Sequence, residues 1–206
     1  MKPPRQEYSS DRPEDFLALL DRFEDRVRAT GAGVTGLLAP GIPEAQVRAE
    51  LAEIGMEPAQ ELVTWFGWHN GLTTATPKSL GDGCLIRWCP LSLRESIEEW
   101  QRQDRGTEPW QWKPTWLPVG LFGGPQRLAV DCTPPQAHQA TIRMTSPEAM
   151  LFDESEVPSV IGFATVVGWW LEAIEQGWYY FVPEADAWDW PRRMEMPKDR
   201  RLTGLI

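Results

Sequence analysis

Residues 56–71 have the sequence MEPAQELVTWFGWHNG, a pattern that predicts an amphipathic helix with both ends marked. Pro58 suits the first helical turn, because its fixed φ is helical and its missing N–H needs no partner there. Four large side chains then recur at intervals of three and four residues and share one helix face: Leu62, Trp65, Phe66 and His69. Asn70 and Gly71 end the helix, with Gly71 in the left-handed conformation that closes a last turn.

Four more helices are predicted around this stretch. Ser92 and Glu95 have the spacing of a capping box, in which each satisfies a backbone N–H of the first turn. The helix that ends at Gly55 precedes the 56–71 stretch after a short joint, so the two are expected to pack as a helix hairpin. The predicted bounds are 11 to about 29, the Pro40–Pro43 turn to Gly55, about 93–104, and 160–176.

The remaining segments favour β-strands, because they are apolar and bounded by Gly or Pro. Gly123-Gly124-Pro125 is typical of a hairpin turn between two of them. The predicted strands are 84–90, 116–122, 126–132, 140–145, 149–152 and an edge strand at 178–182. Grouped helices, paired strands and a closing helix indicate an α+β fold, with a mixed but largely antiparallel sheet packed by N-terminal helices and a C-terminal helix.

The sequence predicts one domain with decorated ends. Residues 1–10 are polar and rich in proline, and are expected to form a loose N-terminal arm. Residues 11–187 form the domain. Residues 188–206 alternate aromatic, charged and proline residues and are predicted to be an extended C-terminal strap, which could dock on its own chain or on another. The sequence does not set an oligomeric state.

The negative charge of the chain is concentrated in one segment. The 206 residues carry a net charge of −10, and residues 144–191 contain nine acidic side chains without any Lys or Arg. A surface of one sign attracts partners of the other, and this sign argues against nucleic-acid binding. The alternative is that acidic surfaces simply keep proteins soluble, and the sequence leaves both readings open.

Composition also bears on compartment. No apolar run reaches the ~20 residues that a membrane-spanning helix needs, and no secretory signal follows the N-terminus. We therefore expect a cytoplasmic protein without a membrane partner. Cys84, Cys89 and Cys132 are an odd number, and in such a compartment they are expected to be reduced thiols.

Residues that could carry chemistry do not form a recognisable constellation, so we expect no enzyme activity, no metal and no cofactor. Cys84 and Cys89 lie on one predicted strand at positions facing opposite sides, which does not suit zinc. Cys132 with His138 and Asp131 is a conceivable hydrolase triad, but no helix N-terminus follows to activate the thiol. His69 has a simpler role at a helix end, where it caps carbonyls or bonds a neighbour.

The stretch at 56–71 resembles the signature of the SUKH superfamily, the Smi/Knr-type cell-wall-assembly-regulator proteins. In that family the helix usually opens with Leu-Pro, carries Tyr or Phe and ends in Asn-Gly or Asp-Gly. Here Glu57 replaces the leucine, and an aromatic pair occupies the Tyr or Phe position. The likeness extends over roughly residues 43–177. The signature residues, to which we assign a structural role, are Pro58, Trp65, Phe66, Trp68, His69, Asn70 and Gly71.

The resemblance implies an immunity role, in which the domain binds and neutralises a polymorphic bacterial toxin, with nucleases among the candidate toxins. The acidic segment suits a basic toxin domain. The residues predicted to bind this partner are Asp153, Glu154, Glu156, Glu184, Asp186 and Asp189, with Trp178 and Trp188 as aromatic anchors. The alternatives are that Trp188 and Trp190 dock on their own domain, that the protein is a regulator or scaffold, or that it is a small cysteine hydrolase.

Overall fold

The fold is described from a computed structural model that covers residues 13–74, 85–86, 88–103, 112–122, 126–133, 140–145 and 161–197. These residues form five α-helices: α1 (Pro13–Ala29), α2 (Glu44–Glu53), α3 (Gln60–Trp68), α4 (Leu93–Arg102) and α5 (Phe163–Glu175). The strands among them are β1 (Leu38–Pro40), β2 (His69–Leu72), β3 (Cys89–Pro90), β4 (Trp116–Phe122), β5 (Gln126–Asp131), β6 (Thr141–Thr145), β7 (Ile161–Gly162), β8 (Tyr180–Val182) and β9 (Ala187–Asp189).

The main sheet has the order β3-β4-β5-β6-β7, and every pairing in it is antiparallel. The predicted hairpin of β4 and β5 is confirmed, with Trp116 opposite Asp131 and Phe122 opposite Gln126. Two smaller antiparallel sheets pair β1 with β2 and β8 with β9. The helices and antiparallel sheets confirm the predicted α+β class.

Aromatic side chains join the first, third and last helices into one core. The Phe163 ring of α5 lies 5.2 Å from that of Phe16 in α1 and 5.1 Å from that of Trp65 in α3, measured between centroids. Phe23 and Trp170 meet at 5.7 Å. Fully burying a large apolar side chain stabilises the fold by roughly 1.5–3 kcal/mol. This cluster therefore fixes where α5, and the chain that follows it, emerge from the domain.

The 56–71 stretch differs from its prediction at both ends. Pro58 is buried ahead of the N-cap residue Ala59, so it precedes the helix instead of opening it. At the other end, His69 is already extended (φ −145°) and begins β2, where it lies opposite Pro40. Gly71 does adopt a positive φ, +74°, but within β2. Strand pairing with β1, a non-local contact, ends the helix earlier than its own sequence predicts.

The strand predicted over 84–90 is reduced to Cys89–Pro90, which pairs with Leu121 and Gly120. The chain reverses just before it: Leu85 and Trp88 exchange backbone hydrogen bonds of 2.9 and 3.1 Å, and Ile86 has a φ of +60°. Because the chain turns here, the argument that strand alternation places Cys84 and Cys89 on opposite sides does not hold. Cys89 is disulfide-bonded, so the expectation of three reduced thiols is also wrong. Cys132 is a free thiol.

Other predictions meet the limits of the described residues. The N-terminal arm and the strand at 149–152 lie outside them. Among the described residues, β6 pairs with β7, which lies directly before α5. The predicted boundary between residues 187 and 188 falls inside β9, so the beginning of the strap belongs to a hairpin of the domain.

Candidate partner-binding surface

The signature residues serve the interior and the connections of the domain. Trp65, Phe66 and Trp68 are buried in the core. Gly41 lets the chain cross α3 at backbone distance, because a Cβ on it would lie 1.8 Å from the Gly67 carbonyl oxygen. The Ile42 N–H donates to the Phe66 carbonyl oxygen at 3.0 Å and fixes this crossing.

Asn70 and Gly71 join this stretch to α4. The Asn70 side-chain oxygen accepts a hydrogen bond from the Leu93 N–H at 2.7 Å, which supplies a partner for a first-turn donor of α4. Ser92 and Glu95 form the predicted capping box on the same turn. Gly71 lies so close that a Cβ on it would be 2.3 Å from the Ser92 nitrogen. This pair of residues therefore acts in assembly.

Both ring nitrogens of His69 are engaged in structural contacts. Nδ1 lies 2.9 Å from the Ala39 carbonyl oxygen, and Nε2 lies 3.0 Å from a carboxylate oxygen of Glu24. Glu24 in turn pairs with Arg28 on α1. Neither partner of the imidazole is a hydroxyl or a thiol, so the ring ties β2 to β1 and α1 and is not set beside a nucleophile of those types.

Cys132 is held as an unreactive thiol. It is buried at the end of β5, and its N–H donates to the Thr115 carbonyl oxygen at 2.7 Å. Burial, with a contribution from the Asp131 charge, raises the pKa of its thiol to about 12. The thiolate is the nucleophilic form, so at neutral pH this side chain is not activated. His138, the histidine of the conceivable triad, lies outside the described residues.

In the described part of the chain, no group of three or more His, Cys, Asp or Glu residues could hold a metal ion. Within the same residues, no helix combines the length and apolar character needed to cross a membrane.

The surface with distinctive properties is the β8–β9 hairpin, which is anchored to the end of α5. Gly177 has a φ of +64°, and the chain turns there so that the Trp178 and Tyr179 N–H groups both donate to the Ala173 carbonyl oxygen. Arg192 secures the segment after the hairpin: it donates to the Gln176 carbonyl oxygen at 3.2 Å. Its guanidinium also pairs with Glu195, which lowers the pKa of that carboxyl.

The hairpin has an inner and an outer face, as strand alternation requires. On the inner face, Phe181 and Trp188 are opposite each other, with ring centroids 5.7 Å apart, and they pack onto the core. On the outer face, Tyr180 is opposite Asp189 and donates its hydroxyl to the carboxylate at 3.2 Å. This hydrogen bond is the main cause that raises the pKa of Tyr180.

The exposed side of the hairpin combines negative charge with apolar side chains. Residues 161–191 contain five acidic residues and no basic one: Glu172, Glu175, Glu184, Asp186 and Asp189. Of the large apolar side chains in the described residues, four are exposed: Tyr180 (42%) and Trp190 (37%) belong to this region, and Met194 (77%) follows it, directly after Arg192 and Arg193. The fourth, Leu17, lies on α1.

The structure brings together only part of the predicted site. Glu184, Asp186 and Asp189 are exposed on the hairpin, whereas Asp153, Glu154 and Glu156 lie outside the described residues. Trp178 is half-buried and packs on the core, and Trp188 is buried. We therefore revise the role of Trp188 from partner anchor to packing residue, the alternative weighed from the sequence.

The sequence analysis does not single out Tyr180 and Met194, and it weighs Trp190 only together with Trp188, as a residue that could dock on its own domain. The signal for Tyr180 was present in the spacing: residues 183–186 form a four-residue loop, which places Val182 opposite Ala187. Alternation from that pair puts Phe181 and Trp188 on one face and Tyr180 on the other.

No protein-family model and no curated protein matches the chain. The resemblance of its 56–71 stretch to the SUKH signature therefore remains a prediction.

Proposed function

We propose that the chain is a non-enzymatic protein-binding domain that acts as an immunity protein, neutralising a bacterial toxin through its acidic C-terminal surface. The observation that carries this proposal is the β8–β9 hairpin and the chain around it: residues 161–191 contain five acidic side chains and no Lys or Arg, and three exposed large apolar side chains lie within residues 180–194. Exposed apolar groups rimmed by charge mark interaction sites. The resemblance of residues 56–71 supports the immunity role.

The charge favours a basic partner. Complementary fields speed encounter and suppress wrong partners, and the substrate face of a nuclease must be basic to bind phosphates. An acidic surface can compete for that face. The net charge of −10 makes nucleic acid itself an unfavourable partner.

Two alternatives remain distinct from this proposal. A regulatory or scaffolding protein of the cell-wall-assembly type would use the same surface on a partner that has no toxic activity. A cysteine hydrolase would depend on Cys132 or His69, and the burial of one and the hydrogen bonds of the other disfavour it.

The test is to mix the protein with the product of a neighbouring toxin-like reading frame, and to measure both affinity and toxin activity from about 50 to 500 mM salt. We expect tight binding that weakens with salt and abolishes toxin activity, since exposed charges are screened beyond roughly 10 Å at 0.1 M. Binding without inhibition would favour the regulatory alternative. Absence of binding would contradict the proposal.

A matched pair of variants locates the effect. Glu184→Gln/Asp186→Asn/Asp189→Asn removes three exposed carboxylates from the hairpin. The control, Asp21→Asn/Glu53→Gln/Glu57→Gln, removes three exposed carboxylates from the N-terminal part of the domain. Only the first should slow association. If the Cys132→Ser and His69→Gln variants still inhibit the toxin, inhibition does not depend on hydrolysis by this protein.

A further inference from the structure

The β8–β9 hairpin is a supported platform, not a loose extension. Its inner face is occupied by Phe181 and Trp188, which pack on the core, and Arg192 fastens the following turn to the end of α5. A partner that lands on its outer side would meet side chains whose positions are already fixed. Such preorganisation lowers the entropy that binding must overcome.

The exposed apolar side chains of this platform are of the types that serve as interface anchors. Tyr180 and Trp190 are aromatic, and Met194, on the 3₁₀ turn Arg193–Glu195, is the most exposed large apolar side chain described. Aromatic residues and methionine are enriched at interfaces relative to other surfaces, and Trp and Tyr are enriched among hot spots.

Asp189 stands beside two of these anchors with its carboxylate held in place. One oxygen accepts a hydrogen bond from the Tyr180 hydroxyl at 3.2 Å, and the other accepts one from the backbone N–H of Trp190 at 2.7 Å. An aromatic face next to an oriented carboxylate suits a guanidinium, which stacks on rings and pairs with carboxylates in one geometry. Glu184 and Asp186, in the loop between the strands, extend the negative field along the hairpin.

We propose that the exposed side chains of residues 180–195 bind an arginine-rich segment of the partner, with Tyr180, Trp190 and Met194 as apolar anchors and Asp189 as a guanidinium acceptor. This inference rests on the proposed function, since it names the surface and the chemistry of the partner. A second copy of the chain would bring the same acidic residues into opposition, so charge favours a different protein as the occupant.

The first experiment compares Tyr180→Ser and Trp190→Ser with Leu17→Ser, which removes an equally exposed apolar side chain from α1. Against the toxin-like product, we expect the two hairpin variants to raise the Kd about tenfold or more, as anchors do, and Leu17→Ser to change it less than about twofold. Tyr180→Phe keeps the ring but removes the hydroxyl that orients Asp189, so it should raise the Kd less than Tyr180→Ser does. Unchanged affinity in both serine variants, with toxin still bound and inhibited, would overturn this inference alone.

The second experiment does not depend on the toxin. A peptide of alternating Arg and Gly, and a matched one of Lys and Gly, are titrated into the ¹⁵N-labelled full chain while backbone amide shifts are followed. We expect the arginine peptide to shift the amides of residues 180–195 at lower concentration than the lysine peptide. Shifts centred elsewhere, or none, would refute the surface even if the toxin binds. Failure of toxin binding alone would instead refute the proposed function.

A self-association measurement completes the test. Light scattering should report a monomer for wild type and for Met194→Ser. A dimer that the substitution dissociates would assign this surface to a second copy and overturn the proposal.

Discussion

Gly71 occupies a left-handed conformation at φ +74° while its Cα faces the backbone leading into α4. A methyl group there would meet both a conformational penalty and a contact of 2.3 Å with the Ser92 nitrogen. We expect Gly71→Ala to lower the free energy of unfolding by at least about 2 kcal/mol, measured by urea denaturation.

The matched control for Gly71 is Gly36→Ala. A Cβ on Gly36 would have no neighbour within 4 Å, and its φ is not in the left-handed range. This variant should be neutral or slightly stabilising, because alanine reduces the entropy of the unfolded chain. Equal losses in the two variants would show that the close approach to α4 is not what constrains Gly71.

Cys132 links stability to alkaline pH. Its pKa is raised from 9.0 to about 12 in the folded protein, so the unfolded chain releases the proton first. Stability from this group is therefore complete below pH 9 and is lost as pH rises towards 12. At pH 10.5 the loss should be about 2 kcal/mol relative to pH 8. The measurement is urea denaturation across this range.

The Cys132→Ala variant isolates this contribution, because Tyr and Lys side chains also titrate above pH 9. It should lose less stability than wild type between pH 8 and 10.5, whatever its starting value. If wild type and Cys132→Ala lost the same stability between pH 8 and 10.5, that result would contradict a deeply buried thiol. Rapid reaction of the wild-type thiol with iodoacetamide at pH 8 would do the same.

Among the elements, the β8–β9 hairpin carries both buried packing residues and exposed residues within ten positions. We expect Trp188→Ala to cost about 3–5 kcal/mol, as for a buried tryptophan, while Tyr180→Ser costs less than about 1 kcal/mol. Thermal and urea unfolding of both variants test this. A small loss from Trp188→Ala would mean that this strand is not docked on its own domain.

Most elements were predictable, because their signals are local. The α4 capping box is written in Ser92 and Glu95, and the helix begins at the next residue after Ser92. Apolar spacing likewise gave α1 and α5 within a few residues of their bounds. The failures involve distant partners. Nothing near His69 predicts that pairing with Pro40 will make it extended, and nothing near Asn70 predicts a bond to Leu93.

The candidate surface was predictable only in its charge. Clustering of carboxylates can be counted along the chain, so the sequence alone points to Glu184, Asp186 and Asp189. Which tryptophan is buried depends on hairpin register, and alternation along an unpaired strand does not say which face is inward. Trp188 was therefore given a role that falls to Tyr180 and Trp190.

For the molecule as a whole, the net charge of −10 predicts a salt response. Concentrated negative charge opposes compaction, whereas the exposed ion pairs on the helices contribute only about 0.3–0.5 kcal/mol each. We therefore expect Tm to rise by about 2–5 °C between 10 and 300 mM NaCl. Differential scanning fluorimetry measures it.

The hairpin triple variant Glu184→Gln/Asp186→Asn/Asp189→Asn should show a smaller rise, because part of the repulsion is already removed. A Tm that falls with salt would mean that ion pairs outweigh repulsion, and that the acidic segment is better balanced than its sequence suggests.

The crossing of Gly41 over Gly67 limits which changes the sequence can accept during evolution. Because a Cβ on Gly41 would lie 1.8 Å from the Gly67 carbonyl oxygen, Gly41 tolerates no substitution while the crossing persists, whereas a Cβ on Gly67 would make only an ordinary contact of 3.8 Å with the Ile42 carbonyl oxygen. Gly33 and Gly36, with open space around them, can vary freely. A saturation-mutagenesis library should therefore separate the glycines of the N-terminal half into positions that tolerate no substitution and positions that tolerate many. The positions that tolerate none offer a search pattern for distant homologues whose other residues have diverged.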